Sequence, residues 1–159
     1  MDGREGRFLR DLQTISTTSH VGNARSRNLQ QPLFKDVDCV LLRVPDLQSA
    51  LPFYEESLGH QLMWRSDVAA GLSIIGSKTE LVLHTKAGPE VDMLVQDLDE
   101  AVRRFREAGG TVLNDPFDLP IGRAAVVQDP FGNVLVLLDQ SKGKLVTDHD
   151  GRVTGTTGV

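Results

Sequence analysis

Residues 40–62 read VLLRVPDLQSALPFYEESLGHQL and residues 91–113 read VDMLVQDLDEAVRRFREAGGTVL. The two stretches align without a gap at an offset of 51. Val40/Val91, Val44/Val95, Asp46/Asp97, Leu47/Leu98, Ala50/Ala101, Glu56/Glu107, Gly59/Gly110 and Leu62/Leu113 are identical pairs. A repeat of this length inside one small domain signals two copies of a single supersecondary unit. It also supplies an internal ruler, because a chemically special position in one half has a counterpart to inspect in the other.

Working outward, each copy reads alike. A strand comes first, at 37–44 in one half and 90–95 in the other. Asp46 and Asp97 then stand where a carboxylate can cap a helix, and Asp99 and Glu100 add negative charge to the second helix's first turn. The helices, about 47–57 and 98–108, carry Leu47, Ala50, Leu51, Tyr54 and Leu98, Ala101, Val102, Phe105 at helical spacing. Gly59 and Gly109-Gly110 end them. Three strands follow in each half, roughly 61–66, 71–76 and 79–85, then 111–115, 122–128 and 133–139. Asp129-Pro130-Phe131-Gly132-Asn133 is the turn between the last two. The expected fold class is α+β, with two tandem βαβββ modules (about 37–85 and 90–140) within a domain at 35–141.

The flanks differ. Residues 1–34 are polar and weakly patterned, and read as an N-terminal arm. The tail, 142–159, is rich in Gly and Thr, and Asp150-Gly151 is a hairpin-type turn that could build a short ribbon. Forty per cent apolar and 25% charged residues place the chain among ordinary globular proteins. A net charge of −5, without a basic stripe, speaks against nucleic acid as partner. No apolar run is long enough to span a bilayer. The single cysteine, Cys39, fits a reducing compartment, so the expected location is the cytoplasm.

VPDLQSALPFYEESLG, DLDEAVRRFREAGG and DPFGNVLVLL, in this order and spacing, resemble the vicinal oxygen chelate superfamily, which holds glyoxalase I, bleomycin-resistance proteins, fosfomycin-resistance enzymes and extradiol dioxygenases. The resemblance covers about residues 37–140. It implies that the modules curl into a cup-shaped mixed sheet and that the protein forms a homodimer. It also implies that a divalent metal sits in the cup of enzymatic members, on ligands from the first and last strand of each half. Carried over through the repeat, those four positions are Cys39, Glu80, Glu90 and Val136.

That quartet departs from the family's His or Gln, Glu, His and Glu. Valine donates nothing, and Cys with two carboxylates and no imidazole is an unusual zinc set. No metal is therefore favoured, although a divalent ion on a relocated site stays open, with His84 on the same strand face as Glu80. Glu80 and Glu90 are the candidate acid/base groups; Glu90 alternates with Asp92 on its strand. Arg43 shares a face with Cys39 and, in glyoxalase-like relatives, an arginine so placed holds a substrate carboxylate. Trp64 and Met63, with Phe117, are candidates for an apolar wall, while His60 reads as surface. The ligand-binding set is thus Arg43, Trp64, Glu80, His84 and Glu90. Two readings compete: a protein that binds or sequesters a small molecule in a cup with a degenerate metal site, and a metal-dependent lyase, isomerase or dioxygenase.

Overall fold

The computed structural model describes residues 31–158, and most of the polar arm lies outside them. At the arm's described end, Leu33 and Phe34 pack against the domain core, so the packed domain starts before residue 35.

The first module runs β1 (Asp36–Arg43), α1 (Leu47–Pro52), β2 (Leu62–Arg65), β3 (Ala69–Ser73) and β4 (Glu80–His84). The second runs β5 (Glu90–Leu94), α2 (Leu98–Glu107), β6 (Thr111–Leu119), β7 (Gly122–Gln128) and β8 (Val134–Asp139). Both helices start where the sequence placed them. Asp46 accepts from Ser49 N at 2.7 Å and Asp97 from Glu100 N at 2.9 Å, each meeting an otherwise orphaned N–H. The first helix is not uniform. Pro52 has no N–H to give, and the chain widens into a π turn over Phe53–Ser57 before Gly59, at φ 77°, ends it.

The eight strands form one sheet in the order β2-β3-β4-β1-β5-β8-β7-β6. Within each module the first and last strands run parallel, β1 with β4 and β5 with β8. The modules join through the antiparallel β1–β5 ladder, where Val40 lies opposite Val91. The identical pair that opens the repeat therefore marks the pseudo-twofold axis.

One face of the sheet is covered by the helices. Leu98, Ala101, Val102 and Phe105 of α2 bury against Ala125, Val127 and Leu137. On the other side of the axis Leu47, Ala50, Leu51 and Tyr54 pack on Leu72 and Leu83. The opposite face lines the cup, with Cys39, Leu41, Ala69 and Val82 on the first module and Ala124, Val136 and Leu138 on the second. Burying an aliphatic side chain is worth about 1.5–3 kcal/mol, and both faces contribute.

β6 and His60 differ from the sequence reading, while the tail builds the short ribbon that the Asp150-Gly151 turn suggested. β6 continues to Leu119, past the expected end at 115, and so takes in Pro116 and Phe117. It is an edge strand with register breaks at Val112/Asn114 and Asn114/Phe117, where a residue without an N–H is tolerated. His60 is half-buried rather than on the surface, its Nδ1 3.0 Å from the Ser73 carbonyl oxygen. The tail forms a separate two-stranded ribbon, β9 (Leu145–Thr147) with β10 (Val153–Thr156). One end is fixed by Lys142 N donating to Ile121 O at 3.0 Å, the other by Arg65 N donating to Gly151 O at 2.7 Å.

Candidate functional site in the cup

The strand register sets Glu80, Cys39, Asp92 and Val136 side by side across four strands at the middle of the cup. Glu90 lies on the same face of β5, opposite Leu41. A bulge between Val37 and Cys39 changes what β1 presents. Strict alternation would send Asp38 away from Cys39's face; a bulge re-aims side chains. Asp38 instead enters the cup and accepts from Gln140 Nε2 at 2.6 Å.

This is a crowded acidic floor. Asp92 is pushed up to about 7, first by burial and then by the charge of Glu90. Its Oδ1 is buried without a hydrogen-bond partner. Asp38 is raised by burial and by Glu80, against the lowering bond from Gln140. Burial, with Asp92 and Asp38 next to it, drives the Cys39 thiol upward as well. Cys39 therefore stays a neutral thiol near neutrality.

From this floor a cavity of about 810 Å³ opens towards the end of the cup where β1 begins. Its inner wall carries Trp64, Asp38 and Glu80, and apolar surface comes from Met63, Leu94 and Ile121. Trp64 donates from Nε1 to Glu80 Oε2 at 2.6 Å. Its ring lies so close over Gly71 that a Cβ there would stand 2.1 Å from Nε1. The indole is thus held flat by a carboxylate and a glycine. Residues Gly143–Leu145 and Thr147 of the ribbon segment close the same cavity, with Lys78 and Lys144 also in its lining.

Of the residues chosen from sequence, Trp64, Glu80 and Met63 meet in this cavity. Arg43 and His84 are register partners at the opposite end of β1 and β4, and Glu90 lies at that end too. Arg43 is exposed there. His84 Nδ1 accepts from Lys86 N at 2.9 Å and Ala87 N at 3.0 Å, which leaves the proton on Nε2. Phe117 belongs to the edge strand β6 and is not among the cavity's lining residues. Asp38 and Gln140 are the residues that sequence reasoning missed.

The residues present do not fit the family's metal. Cys39 holds its proton, Val136 has no donor, and Glu80 is engaged by Trp64. Among the described residues, the one group of three potential ligands within 4.8 Å of one another is Asp148–His149–Asp150, in the exposed part of the ribbon turn. It is no part of the cup, and Asp148 Oδ1 there accepts from the backbone N–H of Asp150 and Arg152.

An eight-stranded sheet of two βαβββ modules curled round a central site defines a class of protein. The family model for the Glyoxalase/Bleomycin resistance protein/Dioxygenase superfamily matches residues 36–137, the greater part of the chain, and the chain belongs to that superfamily. Solved structures of the same fold include methylmalonyl-CoA epimerase from Mycobacterium tuberculosis, 24% identical, covering 70% of this chain and 91% of that one, with a TM-score of 0.59. A superfamily member from Vibrio splendidus 12B01 is 18% identical over 65% of this chain and 97% of its own, at a TM-score of 0.54. Homoprotocatechuate 2,3-dioxygenase from Brevibacterium fuscum is 23% identical over 69% of this chain and 37% of its own, at 0.53. At these identities the likeness is one of fold. No curated protein matches the sequence.

Proposed function

We propose that the chain is a ligand-binding member of its superfamily, holding a small, partly apolar molecule with a cationic centre in the cup without help from a metal. The observation that carries this reading is the Trp64–Glu80 hydrogen bond at the cavity wall. A position that the resemblance gives to a metal ligand instead fixes an aromatic ring. An indole face with carboxylates beside it attracts a cation, by up to about 2 kcal/mol where the site is desolvated. Asp38 adds a second acceptor. Lys78 and Lys144 make no ion pair among the described residues, so a ligand with an anionic group as well could meet them. The volume falls in the range of small-molecule sites, roughly 300–1,000 Å³. Both halves of the chain contribute strands to the sheet that forms the cup, and sedimentation tests the homodimer that the resemblance implies.

Trp64 is the only tryptophan, so its fluorescence reports on the cavity. A screen of aromatic and aliphatic ammonium compounds should find quenchers. Glu80→Gln, which keeps an acceptor for the indole but removes the charge, should weaken them by about tenfold, the worth of one charge-assisted contact of about 1.4 kcal/mol. Stoichiometric metal in protein purified without chelators, lost on Glu80→Ala or Glu90→Ala, would overturn the reading in favour of a metal-dependent enzyme.

A further inference from the structure

On the helix side of the sheet, the end of β2, the start of α1 and the tip of the ribbon enclose a second depression of about 490 Å³. Two arginines meet in it. An isolated parallel bridge sets Arg65 beside Arg152, and the backbone bond from Arg65 N to Gly151 O fixes the approach. Like charges set side by side repel, yet neither guanidinium has an ion pair among the described residues. Asp67 lines the same depression and pairs with neither. Arg65 Nε is, moreover, buried with no acceptor. A desolvated charged donor without a partner is costly, and the residue that carries it lines the depression. Two guanidinium forks, one with its Nε left without an acceptor, make the complement of an oxyanion, whose oxygens accept several N–H groups at once. Leu47, Leu51 and Val153 give the depression an apolar side.

We propose that this depression is a second binding site, for a doubly charged oxyanion group, phosphate being the simplest, held between Arg65 and Arg152 with an apolar body against α1. Arg152 lies beyond the span matched by the family model, so the site belongs to this chain's own ribbon. It stands on different residues from the cup and does not depend on what the cup binds. On a chain of net charge −5, attraction of an anion has to come from this local pair.

The test uses the full chain at low ionic strength, titrated with inorganic phosphate by calorimetry and thermal shift, against sodium chloride and sodium acetate at matched ionic strength. Phosphate should stabilise the fold saturably, and the monoanions much less. Arg152→Gln, on the exposed ribbon, and Arg65→Lys, which keeps the charge but removes Nε, should each weaken phosphate at least fivefold. Arg103→Gln, on the exposed face of α2, should leave it unchanged. Phosphate no better than chloride, or both pocket variants binding like the parent chain, overturns the proposal.

Discussion

At the residue scale, the cup is organised by Trp64 lying on Gly71 with its Nε1 on Glu80. Gly71→Ala would set a methyl group 2.1 Å from the pinned indole nitrogen, so the ring has to leave Glu80 or the strands have to part. Overpacking of this kind costs about 1–3 kcal/mol. Urea unfolding should show that loss, together with a red-shifted tryptophan emission; unchanged emission would mean the indole is not held as described. Trp64 and Glu80 could be found from sequence because β2 and β4 have readable patterns and the repeat ruler points to Glu80. Asp38 could not. Its entry depends on one bulged residue in β1, and the alternation rule used to read strands assumes that no such residue exists. Gln140 was missed for a different reason, since its role appears only once β8 lies two strands from β1.

At the scale of elements, the repeat gave a correct account of the helix starts, because capping is local chemistry. Asp97→Ala should cost about 1 kcal/mol, with a typical range of roughly 0.5–2 kcal/mol, by leaving Glu100 N without its acceptor. Thermal or urea denaturation reads this directly, and an Asp97→Ser variant should recover most of the loss; no difference between the two would remove the cap from the account. The α2 interior was equally legible, since Leu98, Ala101, Val102 and Phe105 are all buried as their spacing implies. The first helix was harder. The same spacing is present, but Pro52 interrupts the hydrogen-bond ladder and no residue of α1 is fully buried. β6 ran longer than its pattern because an edge strand can absorb Pro116 through register breaks. Where local preference and tertiary context agree, sequence suffices; at edges and bulges the neighbours decide.

At the scale of the whole molecule, the acidic floor makes stability depend on pH. Asp92 titrates near 7 in the fold against an ordinary value near 3.8, so the folded state binds its proton more tightly than the unfolded chain does. Its stabilising contribution is complete below about pH 4 and is lost as pH rises to about 7. Asp38 works in the same direction. Asp92→Asn should therefore match the parent chain near pH 4 and exceed it near pH 8, by on the order of 2–4 kcal/mol. The exposed carboxylates held low by hydrogen bonds, Asp46, Asp99 and Asp129 among them, oppose this trend in both proteins and cancel in the difference. Parallel denaturation midpoints for the two proteins across that range would refute the account. The ribbon has a different consequence at this scale. A vessel made from two copies of one unit ought to have interchangeable ends, because the axis through Val40 and Val91 swaps them. Gly143–Leu145 and Thr147 wall one end, while Arg43 stands exposed at the other. The duplication thus survives in the scaffold but not in the interior, and an asymmetric guest can tell front from back.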